Sequence, residues 1–155
     1  MIIEKTLNIL NYKIYSWSLG NPQSPSIVMV HGILEHSLRY KDIAQFFANQ
    51  GFHVVSFDLP GHGQSQGPKG FVRDFLDFGK ITNEIYRAYN LNFAHLFGHS
   101  MGVLIAYQAR SLEPILWKNT VLHNPSFYIG GTLEKFLIKI LGNASGSLAK
   151  SPFYI

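Results

Sequence analysis

The sequence predicts an α/β fold, a mostly parallel sheet with helices on both faces. Three observations carry that expectation. From residue 26 onward, apolar runs of strand length alternate with helix-length segments, the order from which parallel sheets are built. One run, "SIVMVHG" (26–32), is a continuous apolar run ending in Gly, and "FHVVSFD" (52–58) reads as the next buried strand, as strands covered on both faces do. The 155 residues are 46% hydrophobic and 14% charged, with 12 Phe and 8 Tyr, enough apolar material for one packed core and unlike a disordered chain.

The elements follow in order. Residues 2–9 and 12–19 read as two strands around Asn11, a hairpin or sheet edge, and "NPQSP" (21–25) as a turn. Residues 26–32 form a strand ending in Gly32. Residues 38–49 carry apolar positions at helical spacing, with Gly51 as the stop. After the strand 52–58 comes a long glycine-rich loop, "LPGHGQSQGPKG" (59–70). Residues 72–89 read as a helix, 93–97 as a strand, 101–112 as a helix and 119–123 as a strand. Neither an internal repeat nor a low-complexity segment is present.

Composition excludes several classes of function. There is no cysteine, so disulfides, thiol nucleophiles and Cys-ligated metals are ruled out. The net charge is +4, but Lys and Arg are scattered, so a nucleic-acid surface is not expected. The seven His fall in no H-E-x-x-H pattern, so no metal site or cofactor is expected. The N-terminus lacks the apolar core of a signal peptide, and no run of about 18 apolar residues occurs. The expectation is a soluble cytoplasmic chain.

In open α/β sheets, ligands bind outside the carboxyl ends of the strands. Four segments fall there: "HGILEH", "DLPGHGQS", "GHSMG" and "HNPSF". The third, Gly98-His99-Ser100-Met101-Gly102, matches G-x-S-x-G between a predicted strand and a predicted helix, the context of a nucleophile elbow. Its spacing has a steric cause. A serine on so tight a turn brings the positions two before and two after into contact, and only glycine fits both. The following helix aims its first N–H groups and positive dipole end at the serine. In this architecture one oxyanion donor is the N–H after the nucleophile, here Met101. The other comes from the loop after the third strand, His31-Gly32-Ile33, here Ile33. Each such donor is worth about 3 kcal/mol of barrier.

"HGILEHSLRY" (31–40), "FDLPGHGQSQG" (57–67) and "LFGHSMG" (96–102) together resemble the monoacylglycerol lipase and lysophospholipase branch of the α/β-hydrolases. The likeness runs from the first hairpin to the strand near residue 121. It implies an α/β-hydrolase fold and a serine esterase that cleaves a fatty acyl ester of a glycerol or glycerophospholipid. Ser100 would be the nucleophile, with Ile33 and Met101 as backbone oxyanion donors and His31, Gly32, Gly98, His99 and Gly102 as supporting residues. The chain departs from the family at Leu34, Leu38 and Val103, where glycine is usual, which bears on substrate range more than on fold.

The acid and base do not follow. The triad order on this fold is Ser, Asp or Glu, then His. Beyond Ser100 there is no Asp, the only Glu residues are Glu113 and Glu134, and the only His is His123. The resemblance therefore implies an α/β-hydrolase core cut off after about the sixth strand. Residues 1–128 would be its N-terminal part and 129–155 the start of a lid or cap. The pair Glu113 and His123 is the weaker alternative for the missing groups, with His123 read instead as a strand-end residue under the lid. Asp58, preceding Ser100, reads as a loop-pinning acceptor, His62 as a turn residue, His99 as a pocket-wall side chain, and His31 and His36 as bonded within their own loop. In "TLEKFLIKILG" (132–142), Leu133, Phe136, Leu137, Ile140 and Leu141 share one helical face, giving either a packed helix or a weak lipid-surface contact through 133–141. Two further expectations stand beside the esterase: a non-catalytic truncated module that binds lipid or is completed by a C-terminal half or second chain, and a thioesterase or peptidase on the same fold.

Overall fold

The computed structural model describes residues 1–70 and 74–125. Six strands form one sheet: β1 (Ile3–Ile9), β2 (Tyr12–Leu19), β3 (Ser26–Val30), β4 (His53–Phe57), β5 (Ala94–His99) and β6 (Trp117–His123). Their order across the sheet is β1-β2-β4-β3-β5-β6. The hairpin β1–β2 and the β2–β4 pair are antiparallel, and the rest are parallel. Three helices connect the parallel strands: α1 (Lys41–Asn49), α2 (Leu76–Ala88) and α3 (Met101–Leu112). The expected start of a lid at 129–155, with its apolar face at 133–141, lies outside the described residues.

Alternation along the strands sorts the core into two layers, as the period of two requires. Trp17, Leu19, Ile27, Met29, Val54 and Phe97 pack with Ala44 and Phe47 of α1 on one face. Ile14, Val28, Val30, Val55, Phe57 and Leu96 pack with Phe78, Ile81 and Ile85 of α2 and Ile105, Ala106 and Ala109 of α3 on the other. Both faces of β3 and β4 are covered, and every residue of these strands is buried. The polar residues among them, Ser26, His53 and Ser56, are buried with the rest.

Helix ends follow local chemistry. Gly51 (φ 88°) ends α1, with its N–H on Ala48 O at 3.0 Å and Phe52 N–H on Phe47 O at 3.1 Å, the paired bonds of a Schellman cap. Asn90 (φ 52°) does the same for α2. Several local details differ from the sequence expectation, among them β6, which begins at Trp117. Residues Ser37–Tyr40 form a 3-10 turn ahead of α1. Helix α2 starts at Leu76, whose N–H is taken by Asp74 Oδ1 at 2.9 Å. The left-handed residue in the first hairpin is Leu10 (φ 52°), beside Asn11.

After β4 the chain crosses to the far side of β3 to form β5. The order reverses there, so the loops leaving β3, β4 and β5 converge at one end of the sheet, where a cleft belongs.

Candidate active site

Between β5 and α3 only Ser100 turns the chain. It does so at φ 54° and ψ −120°, a conformation that costs an L-residue on the order of 1–3 kcal/mol and persists only where its surroundings enforce it. The enforcement is visible. A Cβ on Gly98 would stand 2.3 Å from Gly102 O, and one on Gly102 would stand 2.3 Å from Val30 O. The elbow thus presses against the end of β3 at a distance only hydrogen permits. Ser100 N–H donates to His123 O at 3.1 Å, and Ser100 O accepts from Val103 N–H at 3.0 Å. The 12-residue α3 points its N-terminus at this residue.

The loop after β3 lies alongside. A Cβ on Gly32 would meet Ser100 Cβ at 3.1 Å. Ile33, the next residue, is 38% exposed. Ile33 and Met101 therefore belong to two segments that meet at Ser100. Leu34 has φ 56°. That left-handed conformation costs leucine about 1–2 kcal/mol.

Two buried groups fix the surrounding loops. Asp58 Oδ1 accepts from Ser37 N–H and Oδ2 from Gln64 N–H, each at 2.7 Å, the pinning role read from sequence. His31 spans more than its own loop. Its Nδ1 donates to Gly32 O at 2.7 Å, while Nε2 accepts from Leu59 N–H at 3.0 Å across the glycine-rich loop. Burial pulls its pKa down to about 4, against the opposing pull of the Gly32 carbonyl and with help from neighbouring His62. His31 is thus a neutral bridge. His62 is a turn residue, its Nδ1 3.0 Å from Pro60 O.

His99 does more than line a wall. Its Nδ1 lies 2.7 Å from Tyr40 Oη and 3.3 Å from Glu35 Oε2. Glu35 Oε2 also accepts from Gly32 N–H at 3.1 Å and from Tyr40 O–H at 2.8 Å, and Arg39 pairs with Oε1 at 2.7 Å. Burial raises the Glu35 pKa, but Tyr40, the Gly32 N–H, His99 and Arg39 outweigh it, and the net shift is downward. The Tyr40 phenol is pushed up by burial and by that carboxylate. Sequence reasoning gave Glu35 and Tyr40 no role. The available signal was a Glu, an Arg and a Tyr at 35, 39 and 40, directly after the loop that borders the serine.

His123 stands beside His99 in the β5–β6 register. Its ring stacks on Phe97 at 5.9 Å and lies 5.2 Å from the His99 ring. Glu113 sits at the C-terminal end of α3 and pairs with Arg87. A helix of that length separates it from Ser100 by roughly 18 Å, so Glu113 does not serve as an acid for this serine.

A parallel-rich sheet in this order, with a strained serine between β5 and α3, defines an α/β-hydrolase. The chain belongs to the serine aminopeptidase S33 family, whose model matches residues 21–151. It is 33% identical over 96 residues to phospholipase YtpA of Bacillus subtilis, which covers 61% of this chain and 37% of that protein. It is 31% identical over 113 residues to the monoglyceride lipase of Rattus norvegicus, covering 70% of this chain and 37% of that one. The crystal structure of the monoacylglycerol lipase of Paleococcus ferrophilus superposes with TM-score 0.72 at 30% identity, over 86% of this chain and 52% of that one. The chain thus spans about two fifths to one half of the length of these relatives.

Proposed function

We propose that the chain carries the nucleophile half of a lysophospholipase- or monoacylglycerol-lipase-type serine hydrolase. In this reading Ser100 Oγ attacks the carbonyl carbon of a fatty acyl ester. The N–H groups of Ile33 and Met101 hold the resulting oxyanion, the alcohol leaves, and water releases the acid from the acyl-serine. The observation that carries the reading is the Ser100 backbone, φ 54° and ψ −120°, wedged between glycines that tolerate no Cβ. A turn of that strain serves no packing purpose. Names such as monoglyceride lipase and phospholipase among the relatives support a lipid ester as substrate.

The reading places the triad acid and base outside these 155 residues. Removing the base from such a triad costs on the order of 10⁶ in kcat, leaving about 10³ over water. The chain by itself is accordingly close to inactive. A fluorophosphonate probe tests the assignment: peptide mapping after long incubation finds a slow adduct on Ser100, lost in Ser100→Ala. An adduct on another residue with Ser100 unmodified refutes Ser100 as the nucleophile.

A second reading, a non-catalytic module that pairs with another chain, draws on β6. Its residues beyond Trp117 are largely exposed and its outer edge is unpaired among the described residues, a template for strand addition. Size measurement separates the two, since pairing yields a stable dimer or complex without any serine adduct.

A further inference from the structure

The contacts around Glu35 determine where the protons sit. An ionised carboxylate only accepts hydrogen bonds, so the 2.8 Å contact between Tyr40 Oη and Glu35 Oε2 uses the single phenolic proton. Tyr40 Oη then faces His99 Nδ1, 2.7 Å away, with lone pairs only. A contact that short between the two is a hydrogen bond only if Nδ1 carries hydrogen. Neutral imidazole has one N–H, so Nε2 is bare. The same carboxylate oxygen holds Gly32 N–H at 3.1 Å, and a Cβ on Gly32 would lie 3.1 Å from Ser100 Cβ and 3.2 Å from Glu35 Oε2. One oxygen atom therefore touches the loop on one side of Ser100 and, through Tyr40, the residue immediately before it.

We propose that Glu35 is a positioning residue: its carboxylate ties Gly32 to His99 through Tyr40, holding the β3 loop and the serine elbow as one unit. The relay fixes His99 as its Nδ1–H tautomer, with Nε2 as a hydrogen-bond acceptor beside the elbow. Arg39 holds the second carboxylate oxygen, but at 62% exposure it adds orientation more than energy. The proposal stands on geometry, and it rests on the serine hydrolase reading only for its consequence at Ser100.

The test is magnetic resonance on the ¹⁵N-histidine-labelled 155-residue chain above neutral pH, which reads tautomers without turnover. His99 is assigned by its loss in His99→Gln. The wild type shows Nδ1–H, and Glu35→Ala, which frees the Tyr40 proton to be donated to Nδ1, shifts the ring toward Nε2–H. Glu35→Ala also speeds amide exchange at Gly32 by about tenfold, the loss of one net hydrogen bond, while amides within β3 and β5 keep their protection. An Nε2–H tautomer in the wild type overturns the proposal even if Glu35→Ala does not fold. So does an unchanged Gly32 exchange rate in a folded Glu35→Ala. Because no arm reads catalysis, a chain with the relay but with its adduct on a residue other than Ser100 refutes the hydrolase reading alone.

Discussion

Two flanks of the sheet differ in how they end. At the carboxyl ends of β3, β4 and β5, each loop is bound to its neighbour. His31 bridges to Leu59, Asp58 to Ser37 and Gln64, and Glu35 to Gly32, Tyr40 and His99. At β6 the side chains mostly meet solvent, with Val121 52% and Leu122 41% exposed. Ile115, just before the strand, is 93% exposed. The contrast teaches where the chemistry is built. The strained serine and the loop beside it are over-determined by contacts within residues 1–125. The β6 side supplies the backbone acceptor His123 O for Ser100 N–H, and the His123 ring packs against Phe97 and His99.

The contrast can be broken at the elbow first. Gly98→Ala forces a Cβ to within 2.3 Å of a backbone oxygen, so α3 must shift away from the sheet. Overpacking against backbone costs about 3 kcal/mol, read as a lower urea midpoint. A variant of unchanged stability would mean the elbow is looser than its geometry.

Acid is the next probe. His31 is depressed from 6.5 to about 4 in the folded chain, so between those values the unfolded chain binds more protons. Its contribution is complete above pH 6.5 and is lost as pH falls toward 4. The expected loss between about pH 7 and pH 5 is on the order of 2 kcal/mol. His53, also lowered by burial and by Lys5, adds in the same direction. Urea midpoints at the two pH values check this, and His31→Gln flattens the slope. An equal slope in that variant would assign the acid sensitivity to other groups.

The smallest effect is expected on the open flank. Val121→Ser changes stability by no more than about 0.5 kcal/mol, because half of that side chain already meets water. A loss several times larger would mean that this edge is covered in solution.

Strand and helix order was legible from the sequence because both signals are local. A continuous apolar run marked β3, the buried run 52–58 marked β4, and Gly51 marked the end of α1. The elbow was legible for the same reason, since Gly98 and Gly102 bracket Ser100 within five residues. The Glu35–Tyr40–His99 relay was not, because its members are 64 and 59 residues apart along the chain, and no periodicity encodes a contact made by sheet register. His31 gave half its role away: its own loop was evident, and its bond to Leu59 required the pairing of β3 with β4. Leu34 shows the reverse case. A departure from a usual glycine was visible in sequence, but its left-handed backbone was not.

Ester hydrolysis by the 155-residue chain, measured beside Ser100→Ala on a long-chain monoacylglycerol, tests the central claim most directly. The account predicts a rate no more than about 10³ above the uncatalysed reaction. Turnover of ordinary size, on the order of 10 per second and abolished by Ser100→Ala, would contradict it, because a general base for Ser100 would then lie within the chain.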